Sequence, residues 1–256
     1  MQGVISMSDL TGKVIVVTGG ESGIGRAISL RAASDGANVV VGGLDAAGLD
    51  ETVQLMSNHP GDGLALPTDV TDPDQVQALI DGAVEKFGRL DAAVANAGAF
   101  VKQSSFADMD LADWNRVVAV NLTGVVLTLQ ATVKVLLAQG GGGSLIATGS
   151  STAIRPIPGM VPYTASKGGV HQMMRALAIE LAEHKIRCNT IVPGVTKTQA
   201  LMVGGPEYAK RGLKYVPMDE LVEPEELAAL VSFALSDEAP HMTGTLLKID
   251  AGRTSA

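Results

Sequence analysis

Between Lys13 and Ile28 the chain passes from an uninterrupted apolar run, Val14-Ile15-Val16-Val17, through Thr18 into the turn Gly19-Gly20-Glu21-Ser22-Gly23-Ile24-Gly25. A helical pattern follows, with Ile24, Ala27 and Ile28 on one face. An apolar run this short, without polar alternation, is a strand buried on both faces, the condition of a parallel sheet covered by helices. Strand, glycine turn and helix in that order aim main-chain N–H groups at one point, and the missing β-carbons let an anion such as a pyrophosphate approach closely. The spacing is G-x-x-x-G-x-G from Gly19, unlike the more common G-x-G-x-x-G.

Further strands are expected at Asn38 to Val41, Gly63 to Leu66, Ala92 to Asn96, Ser144 to Thr148, Arg187 to Val192 and Thr245 to Ile249. Between them lie helical patterns: the stripe Val76, Leu79, Ile80, Ala83, Val84 and Phe87, a long helix from Leu111 to Leu137 after an Asp110 cap, Tyr163 to Glu183, and Pro224 to Ser236. The glycines from Gly140 to Gly143 read as a surface loop. This alternation predicts an α/β fold, one doubly wound Rossmann-type domain with a seven-stranded parallel sheet flanked by helices and a ligand crevice at the carboxyl ends of the strands. A length of 256 residues with 46% hydrophobic content suits one core, with residues 1–9 as a flexible N-terminal segment. Aromatic residues are only 3%, with Trp114 the sole tryptophan, so the core must be aliphatic and rich in alanine.

A net charge of -8 provides no footprint for nucleic acid or an acidic membrane surface. Met1 to Asp9 lacks the pattern of a signal peptide, and no apolar run reaches the roughly 20 residues of a bilayer span. Cys188, the single cysteine, forms no intramolecular disulfide and reads as a small buried hydrophobe, so a cytoplasmic location is expected. His59, His171, His184 and His241 show no metal-ligand spacing, and no metal site is expected.

Tyr163 and Lys167 stand four residues apart on an expected helix, which puts phenol and ammonium on one face. A neighbouring cation favours the phenolate, and a phenol so tuned can take a proton from an alcohol or return one to a ketone. An exposed tyrosine beside a solvated lysine is the plainer alternative for such a pair.

The chain resembles the short-chain dehydrogenases/reductases from about Leu10 to about Gly252. Thr18, Gly19, Gly23 and Gly25 match the family's glycine motif, Asn96, Ala97 and Gly98 its Asn-Ala-Gly turn, and Asn121 its helical asparagine. Ser150, 13 residues before Tyr163, matches its serine, and Pro193-Gly194 followed by Thr198 its nicotinamide-side loop. The resemblance implies a hydride-transferring oxidoreductase with Asn121, Ser150, Tyr163 and Lys167 as catalytic residues. Ser150 would hold the substrate oxygen, Lys167 the nicotinamide ribose, and Asn121 a water in a proton relay. It also implies a cofactor site of Thr18, Gly19, Ser22, Gly23, Ile24, Gly25, Gly43, Leu44, Asp69, Val70, Asn96, Ala97, Gly98, Tyr163, Lys167, Pro193, Gly194, Thr196 and Thr198. Asp69 would contact adenine, or alternatively form only a turn and helix cap.

Matching the family at the end of the second strand puts Gly43 where an acidic residue usually binds the adenosine ribose of NAD. The cations that usually bind the NADP phosphate are also missing, since Leu44 and Ser22 occupy those positions, and Asp45 adds a carboxylate nearby. NAD is the expected cofactor, with NADP not excluded. The substrate pocket is expected to be apolar, with Ser150, Ile154, Met160 and Tyr163 meeting a secondary alcohol or ketone, and Pro156 and Ile157 close by. The variable stretch from Gln199 to Val222 adds Leu201, Met202, Val203, Leu213, Tyr215, Val216 and Met218. Lys210, Arg211 and Lys214 there are taken as solvated. Two other functions compete: a 3-oxoacyl carrier-protein reductase using NADPH, which the lack of basic residues in Gln139 to Gly143 disfavours, and a non-catalytic nucleotide sensor. A homo-tetramer formed through the two long helices is expected.

Overall fold

The computed structural model describes residues 8–199, 201, 213, 214 and 216–256. Met202, Val203, Lys210, Arg211 and Tyr215 of the variable stretch, and residues 1–7 of the N-terminal segment, lie outside the described residues. The described chain runs β1 (Val14–Thr18), α1 (Gly23–Ser34), β2 (Asn38–Gly43), α2 (Ala46–Met56), β3 (Gly63–Pro67), α3 (Pro73–Phe87), β4 (Ala92–Ala95), α4 (Leu111–Val118) and α5 (Gly124–Gln139). It continues with β5 (Gly143–Thr148), α6 (Val161–Glu180), β6 (Ile186–Pro193), α7 (Pro224–Leu235) and β7 (Leu246–Ile249). The seven strands form one parallel sheet in the order β3-β2-β1-β4-β5-β6-β7. The order reverses between β1 and β4, which opens the crevice at their carboxyl ends.

Alternate residues of each strand feed opposite faces. Val14 and Val16 pack with Leu79, Ile80, Leu129 and Met174 against α3, α5 and α6. Ile15 and Val17 pack with Ile28, Ala32, Leu49 and Val231 against α1, α2 and α7. Both layers are aliphatic and alanine-rich, as the scarcity of aromatics requires. Cys188 is fully buried, and burial pushes its thiol up to about 12, consistent with a small core residue.

Several local expectations change. Helix α2 adds to the expected elements; its buried positions Gly48, Leu49, Thr52 and Met56 are too few and too mixed in polarity to stand out as a stripe. Gly143 belongs to β5 rather than to the glycine loop, because it pairs with Ile186 of β6, as Ser144 does with Arg187. The Asp110 cap is present, accepting from the Ala112 N–H at 2.8 Å. The expected single α-helix after it widens into a π-turn over Ala119–Thr123, between α4 and α5. Leu111–Gln139 is long and apolar enough, by length and composition, to cross a bilayer, although polar residues such as Asn121, Gln130 and Lys134 interrupt its apolar runs. Its Val125, Leu129 and Leu136 are buried in the core, and an apolar face on the sheet accounts for that composition.

Candidate active site

The glycine turn closes on itself through the absence of side chains. A β-carbon on Gly25 would fall inside the van der Waals envelope of the Gly19 carbonyl and within 2.6 Å of the Asn96 amide nitrogen. Gly19 and Gly23 take positive φ values of 68° and 52°, so the turn needs glycine for conformation as well as space. Thr18 fastens the turn to the next strand of the crevice, its Oγ1 accepting from the Asn96 and Ala97 N–H groups at 3.0 and 3.2 Å. The Asn96 side chain donates to the Thr18 carbonyl at 3.1 Å and accepts from Thr148 Oγ1 at 3.0 Å, so β1, β4 and β5 are tied together at their carboxyl ends.

These ends open into one cavity of about 760 Å³, within the range of small-molecule sites. Gly19, Ser22, Gly23, Ile24, Gly43, Leu44, Asp69, Val70, Asn96, Ala97, Gly98, Tyr163, Lys167, Pro193, Gly194, Thr196 and Thr198 line it together, as does Ser150. Thr18 and Gly25 stand behind the lining and shape the turn. Asp69 lines the cavity and also makes a local turn, its Oδ1 accepting from Thr71 N and Oγ1 at 2.9 and 2.7 Å. The cap of α3 is instead Asp72, which accepts from the Asp74 and Gln75 N–H groups. Asp45 does not line the cavity; Glu21, in the turn itself, does so along with Asp69.

On the opposite side of the crevice, α6 presents Tyr163 and Lys167. Both are buried, and the Lys167 Nζ lies 6.0 Å from the tyrosine ring centroid. Lys167 donates to the Thr148 carbonyl at 2.7 Å, and burial pulls its ammonium down to about 8. Phe100 stacks on Tyr163 with centroids 5.2 Å apart and planes within 14°. Ser150 lies in extended backbone, with its Oγ accepting from the Thr152 N–H at 3.1 Å and its own N–H donating to His171 Nε2 at 3.2 Å. His171 therefore has a buried positioning contact, and burial, followed by the Lys167 charge, holds its imidazole down at about 4.

Asn121 sits in the π-turn, fully buried and behind the cavity wall. Its Oδ1 accepts from the Ala99 N–H at 2.6 Å, while its Nδ2 donates to the Ala99 carbonyl at 2.9 Å and to Ser166 Oγ at 3.3 Å. Met160 and Ile157 line the cavity, whereas Ile154 does not. Ile154 follows a short 3-10 turn that leaves its side chain 40% exposed, which corrects its expected place in the pocket. Of the variable stretch, Gln199, Leu201 and Lys214 reach the lining, and Lys214 is exposed at its edge. Sequence reasoning missed Glu21, Phe100, Gln103 and Arg253. Phe100 carried a signal, as one of four phenylalanines and two residues beyond the Asn-Ala-Gly turn. Arg253, buried at the cavity though three residues from the C-terminus, carried none.

A doubly wound parallel sheet with a glycine turn at its switch point, facing a buried tyrosine–lysine pair, defines a nucleotide-binding α/β protein. A family model described as Enoyl-(Acyl carrier protein) reductase matches residues 11–254. Glucose 1-dehydrogenase 2 of Bacillus subtilis is 37% identical over 248 residues, covering 96% of each chain. The 3-oxoacyl-(acyl-carrier-protein) reductase of Thermotoga maritima is 36% identical, covering 95% of this chain and 98% of that one. Among solved structures, a 3-ketoacyl-(acyl-carrier-protein) reductase from Brucella melitensis complexed with NADH superposes with a TM-score of 0.89 at 33% identity, covering 96% of this chain and all of that one. The chain belongs to the short-chain dehydrogenase/reductase family of oxidoreductases.

Proposed function

We propose that this protein transfers a hydride between a nicotinamide cofactor, preferably NAD, and a secondary alcohol or ketone held in a mostly apolar pocket, with Tyr163 as general acid/base. The observation that carries this reading is the burial of Lys167 beside Tyr163. An ammonium held at 2% exposure, with the Thr148 carbonyl as its hydrogen-bond acceptor, opposes folding. Its value to the protein is then the charge it brings to the phenol. The cofactor supplies the hydride acceptor in one direction and the donor in the other. As the substrate alcohol is oxidised, its hydroxyl proton passes to Tyr163 Oη, and in the reverse direction Tyr163 returns it to the forming alkoxide. Lys167 favours the phenolate, and Ser150, oriented by the His171 contact to its N–H, donates to the substrate oxygen.

The amide of Asn121 is committed to Ala99 and Ser166. A relay water at this residue would bind its main-chain carbonyl, the kind of group a π-turn leaves without its usual partner. Phe100, Ile157 and Met160 support an apolar substrate face. A second reading, reduction of a 3-oxoacyl thioester on a carrier protein, is favoured by the relatives of that name, and it predicts activity with an acetoacetyl thioester and NADPH. A panel of sugars, cyclic ketones, steroids and acetoacetyl thioesters, followed by nicotinamide absorbance with both cofactors, separates the two. Turnover on none of them would sink both.

The reading also includes a cytoplasmic setting and a homo-tetramer. Ile179 on α6 is 82% exposed, and Val126 and Leu137 on α5 are also exposed, apolar positions that a partner subunit would cover. Sedimentation should give four times the chain mass, and a stable monomer at micromolar concentration would refute it.

A further inference from the structure

The glycine turn carries a carboxylate oxygen that the described residues leave unpaired. Glu21 lines the cavity beside Gly43 and Leu44 at the carboxyl end of β2. Its Oε2 is buried without a hydrogen-bond partner among the described residues, a costly state for a carboxylate oxygen unless a ligand brings a donor. The seat for this side chain is made by two glycines. A β-carbon on Gly43 would come within 2.6 Å of Glu21 Cδ and 2.9 Å of its Oε1, and one on Gly48 within 3.1 Å of its Cβ. Any larger residue at position 43 would evict the carboxylate.

The main chain of the turn is fixed as firmly. Arg26 Nη2 donates to the Glu21 carbonyl at 2.6 Å, and Thr52 Oγ1 donates to the Gly20 carbonyl at 3.0 Å. Arg26 also bonds Thr52 and pairs with Glu51 at 2.6 Å, so this guanidinium is engaged by main chain and by another carboxylate. The terminal torsion of a glutamate is soft, so either oxygen can turn toward the cavity without a change of backbone.

We propose that Glu21 selects the cofactor: its carboxylate accepts hydrogen bonds from the paired hydroxyls of the adenosine ribose, in the space Gly43 leaves open, and repels a 2′-phosphate. The proposal rests on the reading that a nicotinamide dinucleotide occupies the cavity. It explains why the end of β2 and the turn, with Gly43, Leu44 and Ser22, carry no cation for a phosphate. The carboxylate has moved from the strand to the turn.

The test is calorimetric titration of NAD+ and NADP+ into the full-length parent and into Glu21→Ala, Glu21→Gln and the double variant Glu21→Ala with Gly43→Asp. The parent should bind NAD+ more tightly. Glu21→Ala should weaken NAD+ by about tenfold or more, the loss expected for hydrogen bonds to a charged group, and leave NADP+ equal or tighter. Glu21→Gln, which keeps the shape, should narrow the preference by relieving the repulsion, and it carries the comparison if the alanine variant does not fold. Gly43→Asp in the alanine background should restore NAD+ binding. A parent that prefers NAD+ with an unchanged ratio in Glu21→Ala and Glu21→Gln would overturn this proposal and leave the cofactor reading standing. A parent that prefers NADP+ would overturn both, and binding of neither dinucleotide would also remove the proposed function.

Discussion

The two ends of the crevice are built on opposite principles. At the β1–α1 end the chain makes room by omitting side chains: Gly19, Gly23, Gly25 and Gly43 let main chain and one carboxylate reach the cavity wall. At the α6 end it buries functional groups against their preference, with Lys167 at 2% exposure and Asn121 and His171 close behind the wall. The first design depends on local geometry and fails by steric clash. The second depends on electrostatics in a dry site and fails by loss of charge or of a donor. Substitutions at the two ends should therefore separate binding from turnover.

The largest effect is expected at the buried end. Tyr163→Phe should lower turnover by about two to four orders of magnitude with the dissociation constant of NAD+ nearly unchanged, because only the proton donor is lost. Near-normal turnover would break the assignment of Tyr163. At the open end, Gly25→Ala should reverse that pattern. Its β-carbon meets the Gly19 carbonyl, and the strain should lower stability by about 1–3 kcal/mol and weaken dinucleotide binding at least as much as it slows turnover. An alanine variant that binds NAD+ as the parent does would show that the turn has slack.

Lys167 sharpens the comparison through pH. Its folded value of about 8 lies below the ordinary 10.5, so the unfolded chain holds more protons between those limits. The burial penalty is therefore fully present below about pH 8 and is relieved as pH rises toward 10.5. Lys167→Met should lose activity, and its stability relative to the cofactor-free parent should decline over that window, by at most about 3 kcal/mol. A difference in unfolding free energy that stays flat from pH 7 to pH 10.5 would contradict this.

The smallest effect is expected from Leu44→Arg. Leu44 is 74% exposed at the cavity edge, so an arginine there should improve NADP+ affinity by only about tenfold or less, and added salt should erode the gain. A gain that ignores salt would mean that the new side chain is buried.

What the sequence by itself determined was what depends on neighbours along the chain. The β-α alternation with its apolar runs specified a seven-stranded parallel sheet, and the glycine spacing marked the turn. The four-residue interval placed Tyr163 and Lys167 on one helix face, and Asp110 announced the next helix. The resemblance supplied Ser150 and Asn121, which carried too little local pattern to stand out alone. Tertiary structure decided what depends on groups distant in sequence. It widened the helix into a π-turn at Asn121 and set His171 behind Ser150. It left Ile154 outside the cavity and brought Glu21 over Gly43, with Asp45 excluded from the lining. Each of these is set by a contact between separate elements, and the spacing along one element does not report whether a side chain ends against a neighbour, in a cavity or in solvent.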